Sequence, residues 1–136
     1  MKEIMAVVRM NKTSATKKAL VEAGVAGFTA FKVEGRGKIV TNPSLILERK
    51  NELLLMAGED QTGEAEKLIT DFLVGTSICP QRLFTILAHD DEVDKIVQAI
   101  IAANKTCNNV GDGKIFILPI ADAVRVRTGE TGETAV

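Results

Sequence analysis

Leu83-Phe84-Thr85-Ile86-Leu87-Ala88 runs directly into His89-Asp90-Asp91-Glu92, and then into Val93, Ile96, Val97, Ile100 and Ile101. The first stretch is a short apolar run closed by a polar break, which predicts a strand. Asp90, Asp91 and Glu92 put negative charge where a helix starts, the end its dipole favours for anions. The apolar residues that follow fall at i, i+3, i+4, i+7 and i+8, one stripe of an amphipathic helix. Asn104 and Lys105 suit the end of that helix. Lys114 to Ile120 is the next strand, and Ala123 to Arg127 reads as a further short one.

The N-terminal part repeats the order. Ile4 to Arg9 is a β-branched run consistent with a strand. Asn11 or Thr13 can cap a helix through about Ala23, with Ala15, Ala19, Leu20 and Ala23 on one face. Gly24 stands where a helix C-terminal glycine belongs. Phe28 to Glu34 then alternates like a second strand. Two strand-helix-strand halves predict an α+β fold of the ferredoxin-like, double βαβ kind. Two helices cover only one face of such a sheet. Yet Leu83, Phe84, Ile86 and Leu87 are apolar on both faces, and Ile115, Phe116, Ile117 and Leu118 are likewise. Both faces must then be shielded from water. A second subunit is the simplest cover and implies an obligate oligomer; chain insertions folded over the sheet are the other.

The length of 136 residues fits one domain, 1–136, able to bury about 70% of its unfolded surface without staples. Lys plus Arg is 17 and Asp plus Glu is 18, so the net charge of -1 lacks the cation excess of a general nucleic-acid or membrane-surface binder. Cys79 and Cys107 are too few for a disulfide framework or a zinc knuckle. They read as reduced thiols of a cytoplasmic protein, with one bridge left open. No apolar run approaches the roughly 20 residues of a membrane span, and Met1-Lys2-Glu3-Ile4 does not open a signal peptide.

Residues 38–80 separate the two halves, long for a plain connection. Leu45-Ile46-Leu47 and Leu53-Leu54-Leu55-Met56 are apolar clusters, and Leu68, Ile69, Phe72 and Leu73 fall at helical spacing. Gly58 to Gly63 reads as a mobile polar break. The segment is either an arm that docks on a partner or a set of clusters that pack on their own domain.

Gly111-Asp112-Gly113-Lys114 lies between the second helix and a strand. Glycines let backbone N–H groups turn inward on an anion and a Lys adds a point charge, so the run suits a phosphate. Asp-Gly is also a common turn, and the run lacks the rest of a Walker A motif. Gly35-Arg36-Gly37-Lys38 is a second such cluster and Arg125-Val126-Arg127-Thr128-Gly129 a third. In an extended stretch the two Arg side chains would point the same way and suit phosphate oxygens. Each alone reads as solvated surface; together they suggest a polyphosphate ligand. His89 reads as a solvated turn residue, and neither a nucleophile–base arrangement nor metal-ligand spacing is evident.

Gly111 to Ile117, followed by Val124-Arg125-Val126-Arg127-Thr128-Gly129-Glu130, resembles the C-terminal signature of the PII nitrogen-regulatory proteins. Met1-Lys2-Glu3-Ile4, Ala19-Leu20, Gly24, Gly27-Phe28-Thr29 and Gly35-Arg36-Gly37 are similar to the family's first half. The resemblance covers about residues 1–38 and 81–136. It implies a non-catalytic signalling protein, a ferredoxin-like trimer with ATP or ADP in each cleft between subunits, with Mg²⁺ as a possible companion. It implies that Gly111, Asp112, Gly113 and Lys114 hold phosphate and that Arg125 and Arg127 reach it. Gly35, Arg36, Gly37 and Lys38 would complete the cleft, with Thr29 and Thr106 near the base. The segment between strands 2 and 3 would be an enlarged T-loop, the family's docking element, and residues 121–136 a C-terminal loop region. Arg9-Met10-Asn11-Lys12, Gly35-Arg36-Gly37-Lys38 and the enlarged loop resemble the nitrogenase-associated subgroup, whose members come as two paralogues that assemble together and inhibit nitrogenase. A homotrimer or a hetero-oligomer with a paralogue, binding nitrogenase or an ammonium transporter, is the partner set this implies.

The chain departs from the family at several points. It has no Tyr, so the T-loop uridylylation site is missing. The family binds 2-oxoglutarate with a T-loop Gln and a Lys opening the third strand; Ile39 and Gln81 stand there, which puts 2-oxoglutarate binding in question. Arg82 does not replace that Lys, because adjacent strand residues point to opposite faces. Thr85 stands for an acidic ribose partner, Cys107 for a glycine, and the loop Thr106 to Gly111 is one residue longer. A module that has lost effector sensing is therefore a second reading, and a small phosphatase, without a nucleophile to support it, a third.

Overall fold

A computed structural model of the chain describes residues 1–36, 47, 50–51, 63–74, 78–107 and 111–136. The chain forms two compact units, one of Met1–Val33 with Pro80–Val136 and the other of Glu34–Cys79.

In the first unit the order is β1 (Lys2–Arg9), α1 (Thr13–Glu22), β2 (Thr29–Gly35), then β3 (Cys79–Ala88), α3 (Val93–Asn104) and β4 (Lys114–Pro119); α2 (Gly63–Val74) belongs to the second unit. The sheet runs β2-β3-β1-β4. β1 is antiparallel to both of its neighbours, with Ile4 opposite Ile86 and Ile117. This is the split βαβ arrangement that the two similar halves predict.

Alternation decides which face each residue takes. Ile4, Ala6 and Val8 on β1 and Phe84, Ile86 and Ala88 on β3 are buried against Leu20 of α1 and Val93, Ile96 and Ile100 of α3. Phe28 meets Phe84 edge to face at 5.6 Å between ring centres. The opposite face carries Met5 and Val7, in register with Thr85 and Leu83 on one side and with Phe116 and Lys114 on the other. Phe116 is 48% exposed, Leu118 38% and Phe31 50%. Both helices therefore serve one face of a sheet that is apolar on two, as the sequence requires.

A buried polar link joins the helices. Asn104 Nδ2 donates to Thr16 Oγ1 at 2.9 Å, and Thr16 donates in turn to the Lys12 carbonyl at 2.8 Å. Three local expectations need correction. Neither Asn11 nor Thr13 caps α1; a 3₁₀ turn over Met10–Lys12 leads into it, and the Thr13 hydroxyl bonds back to Met10. Ile101 lies at the margin of the α3 stripe, 40% exposed. Ala123–Arg127 is not a strand: a single bridge joins Val124 to Thr131, and the N–H groups of Thr128 and Gly129 close a turn on the Arg125 carbonyl. Gly24 does end α1, at φ +83°.

In the second unit the helical spacing of Leu68, Ile69 and Leu73 is realised in α2, and Lys50 Nζ lies 2.7 Å from Glu66 Oε1. Leu53–Met56 and 58–62 lie outside the described residues. No helix among the described residues is long and apolar enough to cross a membrane.

Phe84 is wholly buried. Phe84→Ala is expected to cost about 3–5 kcal/mol, the range for emptying a core aromatic site, read from the urea midpoint. A loss under 1 kcal/mol, of the order of a surface change, would show that this layer is not the core.

Candidate functional site

The site begins where α3 ends. The Lys105 N–H closes the last turn on the Ile101 carbonyl at 2.8 Å. Asp112 then gathers the ends of the following loop. Its carboxylate accepts the Thr106 N–H at 2.9 Å and the Thr106 hydroxyl at 2.6 Å. From the end of β1, Arg9 Nε donates to the Gly111 carbonyl at 2.6 Å, and Arg9 Nη2 lies 3.2 Å from Asp112 Oδ1. The Thr106 hydroxyl and amide hold the Asp112 carboxyl below its usual range, the Arg9 and Lys12 charges adding to this against partial desolvation.

Gly113 is the tightest point. Its φ is +112°, and a Cβ there would stand 2.2 Å from the Val7 carbonyl oxygen of β1. A methyl group cannot occupy that space, so the loop backbone touches the strand only because this residue is glycine. Gly111, at φ +96°, is less constrained: a Cβ would meet the end of the Arg9 side chain at 3.0 Å. Lys114 follows, exposed, in register with Val7. Beside the loop, a cleft of about 390 Å³ opens between Val97, Ile100 and Ile101 of α3 and Ile115 and Ile117 of β4, with Asp112, Gly113 and Lys114 in its lining.

The structure thus brings together Thr106, Gly111, Asp112, Gly113 and Lys114. Thr29 lies elsewhere, in a second cleft with Glu3, Leu87 and Ala123 at the other end of the sheet. The C-terminal segment is anchored at that same end. The Ile120 N–H bonds the Met1 carbonyl, and Gly132 bonds Ala123. Arg125 is engaged there: its Nη1 lies 2.9 Å from Glu130 Oε2, which also accepts the Thr128 hydroxyl. Arg127 is exposed on the turn. Gly35 ends β2 and Arg36 is exposed, whereas Gly37, Lys38 and Ile39 lie outside the described residues. Gln81 is opposite Arg9, and Arg82 is opposite Val8 on the helix-covered face, where its Nε is buried without a hydrogen-bond partner among the described residues. Adjacent strand residues do diverge here, as the sequence reading requires.

Two features escaped the sequence reading. The reach of Arg9 to the glycine loop is one, and its only local signal is a cation closing an apolar strand. His89 is more than a solvated turn residue. Its Nδ1 lies 2.6 Å from Glu133 Oε2, while the Met1 amino group lies 2.7 Å from Asp90 and 3.1 Å from Glu133. These contacts clasp the C-terminal turn (Gly132–Ala135) to the start of β1.

The nitrogen regulatory protein P-II family model matches residues 1–130. A nitrogen fixation nifHD1 region GlnB-like protein 2 from Methanosarcina barkeri is 39% identical over 137 residues, covering 100% of this chain and 99% of that protein. The nifHD region GlnB-like protein 2 of Methanobacterium ivanovii is 35% identical over 139 residues, covering 100% and 99%. A nitrogen regulatory protein P-II from Cereibacter sphaeroides is 35% identical over 136 residues, covering 100% of both. The chain belongs to the P-II family of nitrogen regulatory proteins. Its similarity to the nifHD-region proteins puts it with the nitrogenase-associated subgroup.

Gly113→Ala is expected to lower stability by at least about 1–3 kcal/mol, the cost of holding a side chain in a glycine-only conformation. Gly111→Ala should cost less, because the Arg9 end can give way. Denaturant midpoints of the two variants compare them directly, and equal midpoints would contradict the close contact with β1.

The clasp should depend on pH in both directions. The Met1 amino group holds Asp90 below its usual range, and His89 followed by that amino group does the same to Glu133. Asp90, then Glu133, raise the amino group above its ordinary value. The carboxylate contributions are present at neutral pH and fade as pH falls through their lowered values; the amino contribution fades as pH rises through its raised value. NMR titration of the Ala135 methyl group should therefore show release at both extremes, and a flat response in acid would contradict it.

Proposed function

We propose that this chain is a non-catalytic regulator that senses ATP or ADP in a cleft between copies of itself and passes the result to a partner protein. The observation that carries the reading is the division of the candidate residues between two ends of one strand. β1 has 8 residues. At about 3.3 Å each its ends stand roughly 23 Å apart, with Gly111–Lys114 at one and Thr29 and the C-terminal arginines anchored at the other. One protomer cannot bring these groups to a single ligand, whereas two can. The exposed apolar face of Phe31, Phe116 and Leu118 supplies the reason for copies to associate.

In this reading the Gly111–Lys114 run receives the phosphates, with Lys114 supplying charge and the glycine backbone close approach. Arg127 of a neighbouring copy adds a second cation, and Thr29 lies near the base. Gly35, Arg36, Gly37 and Lys38 complete the cleft, and a companion Mg²⁺ would offset phosphate charge. The assembly is a trimer, of this chain alone or with a paralogue. Residues 38–80 are the docking arm, and nitrogenase is the preferred target, ahead of an ammonium transporter. Nucleotide controls the arm only through a difference in affinity between two arm states. Ile39 and Gln81 do not supply the groups expected for 2-oxoglutarate, so its effect is the variable to measure. A second reading, target binding indifferent to nucleotide, draws on Arg125, whose guanidinium is already satisfied by Glu130.

Calorimetry with ATP and ADP, with and without Mg²⁺ and 2-oxoglutarate, tests the reading. Binding is expected, and Lys114→Ala should weaken it by about 1–3 kcal/mol, as for a lost charged hydrogen bond. Sedimentation should give a trimer. A stable monomer that takes up neither nucleotide would reject it, and arm-dependent target capture unaffected by nucleotide would favour the second reading.

A further inference from the structure

We propose that Arg9 is the positioning residue of the glycine loop: reaching from the end of β1, it sets the loop's shape for an anion without itself holding the anion. This rests on the nucleotide reading above for what the loop receives, but the clasp itself is a property of the free protein.

Two contacts of Arg9 among the described residues act on different parts of the loop. Nε holds the Gly111 carbonyl at 2.6 Å, and Nη2 faces Asp112 Oδ1 at 3.2 Å. A guanidinium presents these donors in one rigid plane, so both acceptors are fixed relative to β1 at once. The peptide between Gly111 and Asp112 is trans, as are all the described peptide bonds. Its N–H therefore points opposite to its carbonyl, and holding the carbonyl toward Arg9 turns the Asp112 N–H away from Arg9. Asp112 meanwhile grips Thr106 through two hydrogen bonds, which joins the two ends of the loop. Gly113 lies against the Val7 carbonyl two residues before Arg9 on the same strand. The loop is thus registered to β1 at neighbouring points, one requiring a glycine and the other a planar cation. A Lys at position 9 would bring charge but not the fork, and could serve only one acceptor well.

The test combines exchange in the free protein with ATP binding. In Arg9→Ala the Thr106 amide, held by Asp112, should exchange faster while the core strands keep their protection. ATP affinity should fall about tenfold, as for loss of a charged hydrogen bond, and Arg9→Lys should restore little of it. Because Arg9 and Asp112 shape one loop, adding Arg9→Ala to Asp112→Asn should cost less than the sum of the two single losses. Full rescue by Arg9→Lys, or fully additive losses, would overturn the proposal in favour of a direct phosphate contact. Unchanged Thr106 protection in both Arg9 variants would overturn it whether or not ATP binds. Failure of the unsubstituted protein to bind ATP rejects the nucleotide reading instead, and the exchange result still decides the clasp.

Discussion

Two amphipathic helices cover one face of a four-stranded sheet, and this sheet is apolar on both. Ile4, Ala6, Phe84 and Ile86 are satisfied by α1 and α3. Met5, Val7, Leu83 and Phe116, one residue along each strand, face the other way. Because the side-chain period of a strand is two, no shift of register could hide both sets behind the same helices. The proposed association of copies, and the proposed cleft between them, rest on this mismatch between apolar surface and available helix.

The glycine loop shows a similar economy at smaller scale. α3 must pass to β4 across the end of the sheet, and Gly113 lets the chain do so in contact with the Val7 carbonyl. Asp112 and Arg9 then hold the approach to that contact. A loop so constrained would lose little freedom on taking up the proposed ligand, the general advantage of preorganisation. At the opposite end of β1, the clasp of His89, Glu133, Asp90 and the Met1 amino group anchors the segment that carries the arginines. Both candidate half-sites are therefore fixed to the same strand.

Much of this was legible in the residues. The α3 stripe, the two strand-helix-strand halves, Gly24 and the Gly111–Lys114 run all follow from local patterns, because hydrophobic periodicity and glycine conformation are written in neighbouring residues. The corrections fall where a short-range turn outcompetes the expected pattern. The Asn11 or Thr13 cap lost to a 3₁₀ turn. The Arg125–Arg127 stretch became a turn because Glu130 draws Arg125 back by both its backbone and its side chain.

By itself, the sequence determined the order of elements, the two-faced apolar sheet and the chemical character of the loop, since each depends on periods of two and 3.6 residues and on single glycines. Only the tertiary structure decided that Arg9 reaches Asp112 across 103 positions of chain, that His89 clasps the C-terminal turn, and that Thr29 stands at the far end of β1 from Lys114. Those are long-range pairings, and they are fixed by strand order and register, which no local pattern of residues encodes.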